Sequence, residues 1–266
     1  MSYDNLFLGS TTVPNHTQWR IKAENLLADC NIWTPTVDKR FPLGAIAEAR
    51  DGRMWRYAKA AATEIAKASL TSAATPDAQQ IDSLIQTAYG ASAGVKKFDV
   101  LLTTANLLVA DDLIDGWLLV GDGGTAMSDM YLIKNAKWTT SDTVLNVEIA
   151  DAGGLRNAIA ATDDIVVFAN KCFETVVSPV DPVSSLVGAT MTIIPASYYY
   201  WAQFRGYCAI LCDDTDTLVA GDIVCSSEQV TGTVHLNDAL TDDVPIGICI
   251  YISATDECTI VDMLIP

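Results

Sequence analysis

The chain has 266 residues, with 16 Lys and Arg against 33 Asp and Glu, for a formal net charge of −17. Half of the residues are hydrophobic, enough for a sizeable core and too many for a disordered chain. The charge excludes a general nucleic-acid binder, which needs cations against phosphate, and no apolar run approaches roughly 18 residues, so no membrane span is expected.

In chain order, residues 1–60 read as an extended, loop-rich arm ending in a hairpin. TQWRIKAENLLADC (17–30) has the spacing of a short helix, with Trp19, Ala23, Leu26 and Leu27 near one face. Pro35 and Pro42 interrupt the stretch after it. In GAIAEARDGRMWRYAKA (44–60), Asp51-Gly52 is a tight turn, and Met54, Arg56 and Ala58 alternate with Trp55 and Tyr57, which predicts a hairpin. Residues 61–97 read as a helical or irregular connector. Within it, Pro76-Asp77 precedes an Ile81, Leu84, Ile85, Ala88 stripe that fits a second short helix.

From residue 98 the pattern turns to strands. FDVLLTT, DGWLLVGDGG, MYLIKNAKW, TVLNVEIA and IVVFAN are short apolar or alternating runs separated by turn signals. They define a first β domain over 98–178, with a brief helix expected at Leu155–Ala161. CFETVVSPVDPVSSLVG (172–188) reads as a linker. ATMTIIP, YYYWAQFRGYCAIL, DTLVAGDIVCSS, GTVHLN, PIGICIYIS and CTIVDMLIP then build a small C-terminal β-barrel over 189–266. The fold class is mainly β: short-stranded barrel or sandwich units, an extended N-terminal arm and one or two short helices.

The residue types that could carry chemistry are sparse. Seven cysteines, an odd number, with no secretory leader in MSYDNLFLGS, fit reduced, buried thiols of a protein made in a cytoplasm. Cys208-x3-Cys212 lies in strand text and lacks the close pairing of structural zinc. Asp213, Asp214 and Asp216 read as a solvated hairpin tip rather than a calcium loop, as do Asp111, Asp112 and Asp115. His16 and His235, the two histidines, fall into no Ser-His-Asp arrangement. GDGG (121–124) is a turn and not a phosphate loop. No catalytic, metal or cofactor site is assigned, and an enzyme ranks last among the readings.

Charge is uneven. Residues 1–67 carry nine Lys and Arg against seven acids, while 205–266 carry one, Arg205, against eleven. The most unusual run is YYYWAQFRGYCAIL (198–211). Alternation puts Tyr198, Tyr200, Ala202, Phe204 and Gly206 on one face, and Tyr199, Trp201, Gln203, Arg205 and Tyr207 on the other. Aromatics on both faces imply that both are covered.

Three blocks of text also carry a resemblance. They are DGRMWRYAKA (51–60), GWLLVGDGGTAMSDMYLIKNA (116–136), and the C-terminal set IPASYYYWAQFRGYCAIL, VAGDIVCSS and PIGICIYISATDECTIVDMLIP. In order and spacing they resemble the head decoration (capsid cement) proteins of tailed bacteriophages. The resemblance spans most of 44–266; residues 1–43 match less well. It implies a structural virion protein without enzymatic activity, on the outer surface of the capsid, bound to the major capsid protein and to itself as a homotrimer. It implies no nucleic-acid or membrane partner. On that reading Arg20, Arg40, Arg50, Arg53, Trp55, Arg56, Tyr57 and Lys59 would face the capsid, and Tyr199, Trp201, Arg205 and Tyr207 would form the trimer interface. The alternative reading is a host-facing head fibre or spike, or a carbohydrate-binding module.

Overall fold

The structure, a computed structural model, describes residues 20–22, 31–75, 85–86, 90–101, 110–121, 127–138, 144–160, 163–180, 184–213, 218–236, 245–251 and 258–266. In chain order its strands are β1 (Arg20–Lys22), β2 (Ile46–Glu48), β3 (Met54–Lys59), β4 (Leu70–Ser72), β5 (Ile85–Gln86) and β6 (Lys97–Leu101). After a 3-10 turn at Ala110–Leu113 come β7 (Trp117–Gly121), β8 (Met127–Trp138), β9 (Val144–Ile149) and β10 (Asp164–Phe168). The remainder are β11 (Val176–Val177), β12 (Leu186–Ala189), β13 (Tyr199–Leu211), β14 (Ile223–Ser226), β15 (Val234–Leu236), β16 (Pro245–Tyr251) and β17 (Cys258–Leu264). The protein is mainly β, as its alternation predicts.

Two compact units form, Met1–Ala74 together with Lys171–Pro266, and Thr75–Asn170. The expected divisions at 60/61, 97/98 and 178/189 are therefore redrawn. The hairpin assigned to the arm is part of the same unit as the C-terminal strands, because β3 pairs along the first half of β13, from Tyr199↔Lys59 to Gln203↔Trp55. The supposed linker supplies β11 and β12, which pair with β4. Three helix expectations fail or fall outside the described residues. Arg20–Lys22, inside the first predicted helix, is instead a strand parallel to β2. Ile85–Gln86, inside the second, is a strand beside β10; the rest of both segments is not described. Leu155–Ala160 contains no helix.

Unit Thr75–Asn170 is a six-stranded sheet in the order β5-β10-β7-β8-β9-β6. The sheet curls, since Cα atoms of the two end strands β5 and β6 come within 8 Å of each other. Strict alternation drives this. In β9, Leu145, Val147 and Ile149 point inward while Val144, Asn146 and Glu148 lie half-buried outside. Leu118, Tyr131, Ile133, Ile165 and Val167 join them in one core.

The other unit holds an 11-stranded sheet with the path β1-β2-β3-β13-β17-β16-β14-β15, and β12, β4 and β11 branching from β13. It has two cores. One is aromatic, around Trp55, Tyr57, Tyr200 and Trp201. The other is aliphatic and thiol-rich, around Phe204, Cys208, Ile210, Cys249, Val261 and Met263. β13 runs through both. Between them the register against β3 shifts at Gln203/Arg205, and Gly206 adopts φ +80°. The bulge leaves main-chain carbonyls turned away from the ladder. Buried Gln203 answers them: its side-chain amide donates to the carbonyls of Arg205 (3.2 Å), Gly206 (3.4 Å) and Tyr207 (2.8 Å).

Candidate functional site

The second half of β13 differs from the first. Up to Phe204 it is buried on both faces, but Arg205 and Tyr207 are exposed, Tyr207 by 60 %. From Arg205 to Leu211 the strand pairs with β17, which pairs with β16, which pairs with β14. Register aligns Tyr207, Asp262, Ile248 and Ile223 in one row across these four strands. A parallel row brings Ala209, Ile260 and Tyr251 together, and Arg205 lies opposite Leu264. The inward residues of β17, Thr259, Val261 and Met263, are buried, while Ile260, Asp262 and Leu264 point out. Leu264 is 65 % exposed, Ile223 51 % and Ile248 48 %.

A half-buried antiparallel sheet normally reads apolar inside and polar outside. This one is apolar on both sides. Singly exposed hydrophobics are ordinary, but a contiguous patch marks an interaction surface. The patch forms the wall of an open groove of about 970 Å³ whose rim includes Asp51, Gly52 and Arg53 from the β2–β3 turn. Arg53 is held there by its Nε on Asp51 Oδ2 at 2.7 Å and stands 5.4 Å from the Trp55 ring centroid.

The expected capsid-facing residues are dispersed. Arg40 and Arg50 are exposed and Arg53 half-buried. Arg20 lies in β1, where only the backbone is described. Lys59 is half-buried with its Nζ 4.5 Å from the Phe173 ring centroid. Trp55, Tyr57 and Arg56 are corrections, because all three are buried within the chain. Trp55 sits in the aromatic core with its indole N–H 2.9 Å from Met191 Sδ. Tyr57 stacks on Tyr199 at 5.7 Å, and its hydroxyl accepts the Arg40 N–H at 3.1 Å. Arg56 lies 4.2 Å from the Phe204 ring centroid and donates to the Pro266 main-chain oxygen at 3.1 Å. Burial lowers its pKa.

The expected trimer-interface residues divide. Trp201 is interior, packed 5.0 Å from Tyr57 and 5.3 Å from Phe41 by ring centroids. Tyr199 is half-buried, and its backbone pairs with Thr36. Arg205 and Tyr207 do reach the open face. Ile223, Ile248, Ile260 and Leu264 were missed. The signal for Ile260 and Leu264 lay in CTIVDMLIP, where they alternate with Val261 and Met263 so that both faces are largely apolar, a pattern that also reads as ordinary core strand.

The other candidates resolve locally. Asp213 is not a solvated tip; it is buried and accepts a hydrogen bond from the Ser227 hydroxyl. Ser227 Oγ in turn accepts the N–H groups of Gln229 and Val230, both at 3.0 Å, which closes the turn before β15. His235 is buried in β15. His16, Cys30, Asp214, Asp216 and Asp122–Gly124 of GDGG lie outside the described residues. Six described cysteines are free thiols; burial pushes Cys172 up to about 11 and Cys208 up to about 12. Among the described residues no group of three or more His, Cys, Asp or Glu side chains could hold a metal ion.

Comparison with protein-family models, with curated proteins and with solved structures finds no match to this chain.

Proposed function

We propose that this chain is a structural virion protein that binds the outer surface of a tailed-phage capsid and bridges neighbouring major capsid proteins, acting as a homotrimer. The observation that carries the reading is the open apolar face of β13, β17, β16 and β14, which is built for a protein partner rather than for a small molecule. The text that resembles the decoration proteins supports it from another direction. DGRMWRYAKA forms β3, the YYYWAQFRGYCAIL run forms β13, and the C-terminal block forms β16 and β17. These distant pieces of sequence become hydrogen-bonded neighbours. Two of the three shared blocks thus follow one contiguous sheet, while GWLLVGDGGTAMSDMYLIKNA supplies β7 and β8 of the six-stranded sheet.

A decoration protein works by avidity, many modest contacts repeated over a shell. The exposed Arg40 and Arg50 supply cations to a front end that is otherwise near neutral. The test is co-sedimentation of the purified protein with expanded, undecorated capsids. Saturable binding that weakens on Arg40→Glu and Arg50→Glu is expected. Failure to bind, together with a specific hit in a glycan screen, would overturn the reading in favour of a host-facing fibre or carbohydrate-binding module.

A further inference from the structure

We infer that the open face of β13, β17, β16 and β14 is where copies of this chain meet, with Arg205 of one copy set against Asp262 of another. The inference rests on the homo-oligomeric reading above and adds the surface and the charge pair.

Three observations select a second copy as the occupant. The first is charge. The chain carries −17, so copies repel over most of their surface. The groove is different: its charged lining residues are Asp51, Arg53, Arg205 and Asp262, which balance. Two copies can approach there without like-charge repulsion.

The second is where the cation sits. Arg205 is the sole Lys or Arg of residues 205–266, against eleven acids. It stands on the apolar face, one step along the ladder from Asp262, since Arg205 pairs with Leu264 and Tyr207 with Asp262. Among the described residues neither side chain makes an ion pair or hydrogen bond within the chain. A face that carries both members of an ion pair, neither of them used, lets each copy set its Arg205 against Asp262 of the next around a rotation axis, a head-to-tail contact that closes as a ring.

The third is the row Tyr207, Asp262, Ile248 and Ile223. It presents an aromatic and two β-branched side chains around one carboxylate on adjacent strands. This is the composition of an interface core, aromatic and aliphatic with few charges.

The experiment is light scattering with dissociation measured by sedimentation, on the full chain. The wild type is expected to be oligomeric. Ile248→Asp, at a half-exposed position, is expected to yield monomer with unchanged circular dichroism, and Tyr207→Lys does the same should Ile248→Asp not fold. Arg205→Asp and Asp262→Arg are each expected to weaken association about tenfold, and the double variant to restore it. Rescue by the swap is a readout that a merely structural role would not move. A monomeric wild type overturns both this inference and the trimer. An oligomer unaffected by Ile248→Asp or Tyr207→Lys overturns this inference alone. Variants that stay oligomeric but no longer sediment with capsids assign the face to the shell, which also overturns it.

Discussion

Replacing Gly206 by alanine tests whether the bend in β13 is as tightly built as its geometry indicates. Gly206 has φ +80°, a left-handed conformation that costs an L-residue about 1 kcal/mol. An added Cβ would lie 2.9 Å from Arg53 Cγ and 3.1 Å from Arg53 Cα. The first contact is with a movable side chain. The second is with backbone at the start of β3, whose register against β13 includes Arg205↔Met54, so relief means shifting the hairpin. That adds about 1–2 kcal/mol. Gly52 is the internal control: its φ is +87°, but a Cβ there meets nothing within 4 Å. Gly52→Ala should therefore cost about 1 kcal/mol and Gly206→Ala about 2–3 kcal/mol. In a unit of this size the melting temperature should fall by about 2–4 °C per kcal/mol. Urea denaturation followed by near-ultraviolet circular dichroism reads the difference through the aromatic core. Equal losses at the two positions would refute the crowding argument, and no loss at Gly206 would refute the left-handed bend itself.

Gln203→Met keeps bulk but removes the amide that serves the bulge carbonyls, so a loss of about 1–2 kcal/mol is expected in the same assay; an unchanged midpoint would show that solvent serves them. Trp201→Ala empties a buried site beside Tyr57 and Phe41 and should cost about 3–5 kcal/mol, whereas a mild effect would show that the site collapses. Glu148 accepts Lys134 and Lys97 at 2.7 and 2.8 Å, and these partners lower its pKa from 4.5 to about 2. A depressed carboxylate stabilises the fold above its ordinary pKa, and the gain is lost as pH falls from 4.5 toward 2. An NMR titration of the Glu148 carboxyl with a midpoint near 4.5 would overturn this. Cys172 and Cys208, whose thiols burial keeps protonated far above neutrality, should resist alkylation in the native protein at mildly alkaline pH. Among the described cysteines, mass spectrometry should find the half-buried Cys212 and Cys258 modified before the buried ones; rapid labelling of Cys208 would count against the core assigned to it.

Local pattern carried most of the strands and little of their pairing. The runs containing Leu118, Ile133, Val147 and Val167 were legible because apolar side chains recur every second residue between turn signals. The β2–β3 hairpin was legible because Asp51-Gly52 fixes its turn. β4, β11 and β12 were not, since each is two to four residues long and the ladders that join β4 to β11 and β12 span over 100 positions. That distance also explains the misdrawn domains: hydrogen bonds from Ser69, Thr71 and Ala73 to residues 184–190 join segments that look like connectors when read in order. The charged front end misled for a different reason. Arg56 and Lys59 look like surface cations in text, yet their charged heads lie over the rings of Phe204 and Phe173. Of the open face, Arg205 and Tyr207 were visible because they sit in a conspicuous run, and Ile248 and Leu264 were hidden in text that reads as ordinary core strand.

The crowding of aromatics in YYYWAQFRGYCAIL reflects the cover over each half of one strand. Tyr199, Trp201 and Gln203 share their alternation with Arg205 and Tyr207. For the first three the chain brings its own cover: Phe41 packs on Trp201, Tyr57 stacks on Tyr199, and Thr36 pairs with the Tyr199 backbone. That cover ends at the bulge. Past it the same alternation continues on a sheet whose opposite face is closed by Cys208, Ile210, Val261 and Cys249, with nothing among the described residues laid over Tyr207, Ile248 or Leu264. Burying this surface would add stabilisation at roughly 25 cal/mol for each Å² removed from water, and leaving it open invites association. A chain that uses its N-terminal segment to cap half of an apolar face, and keeps an unspent arginine and aspartate on the other half, has the surface that the proposed association of copies requires.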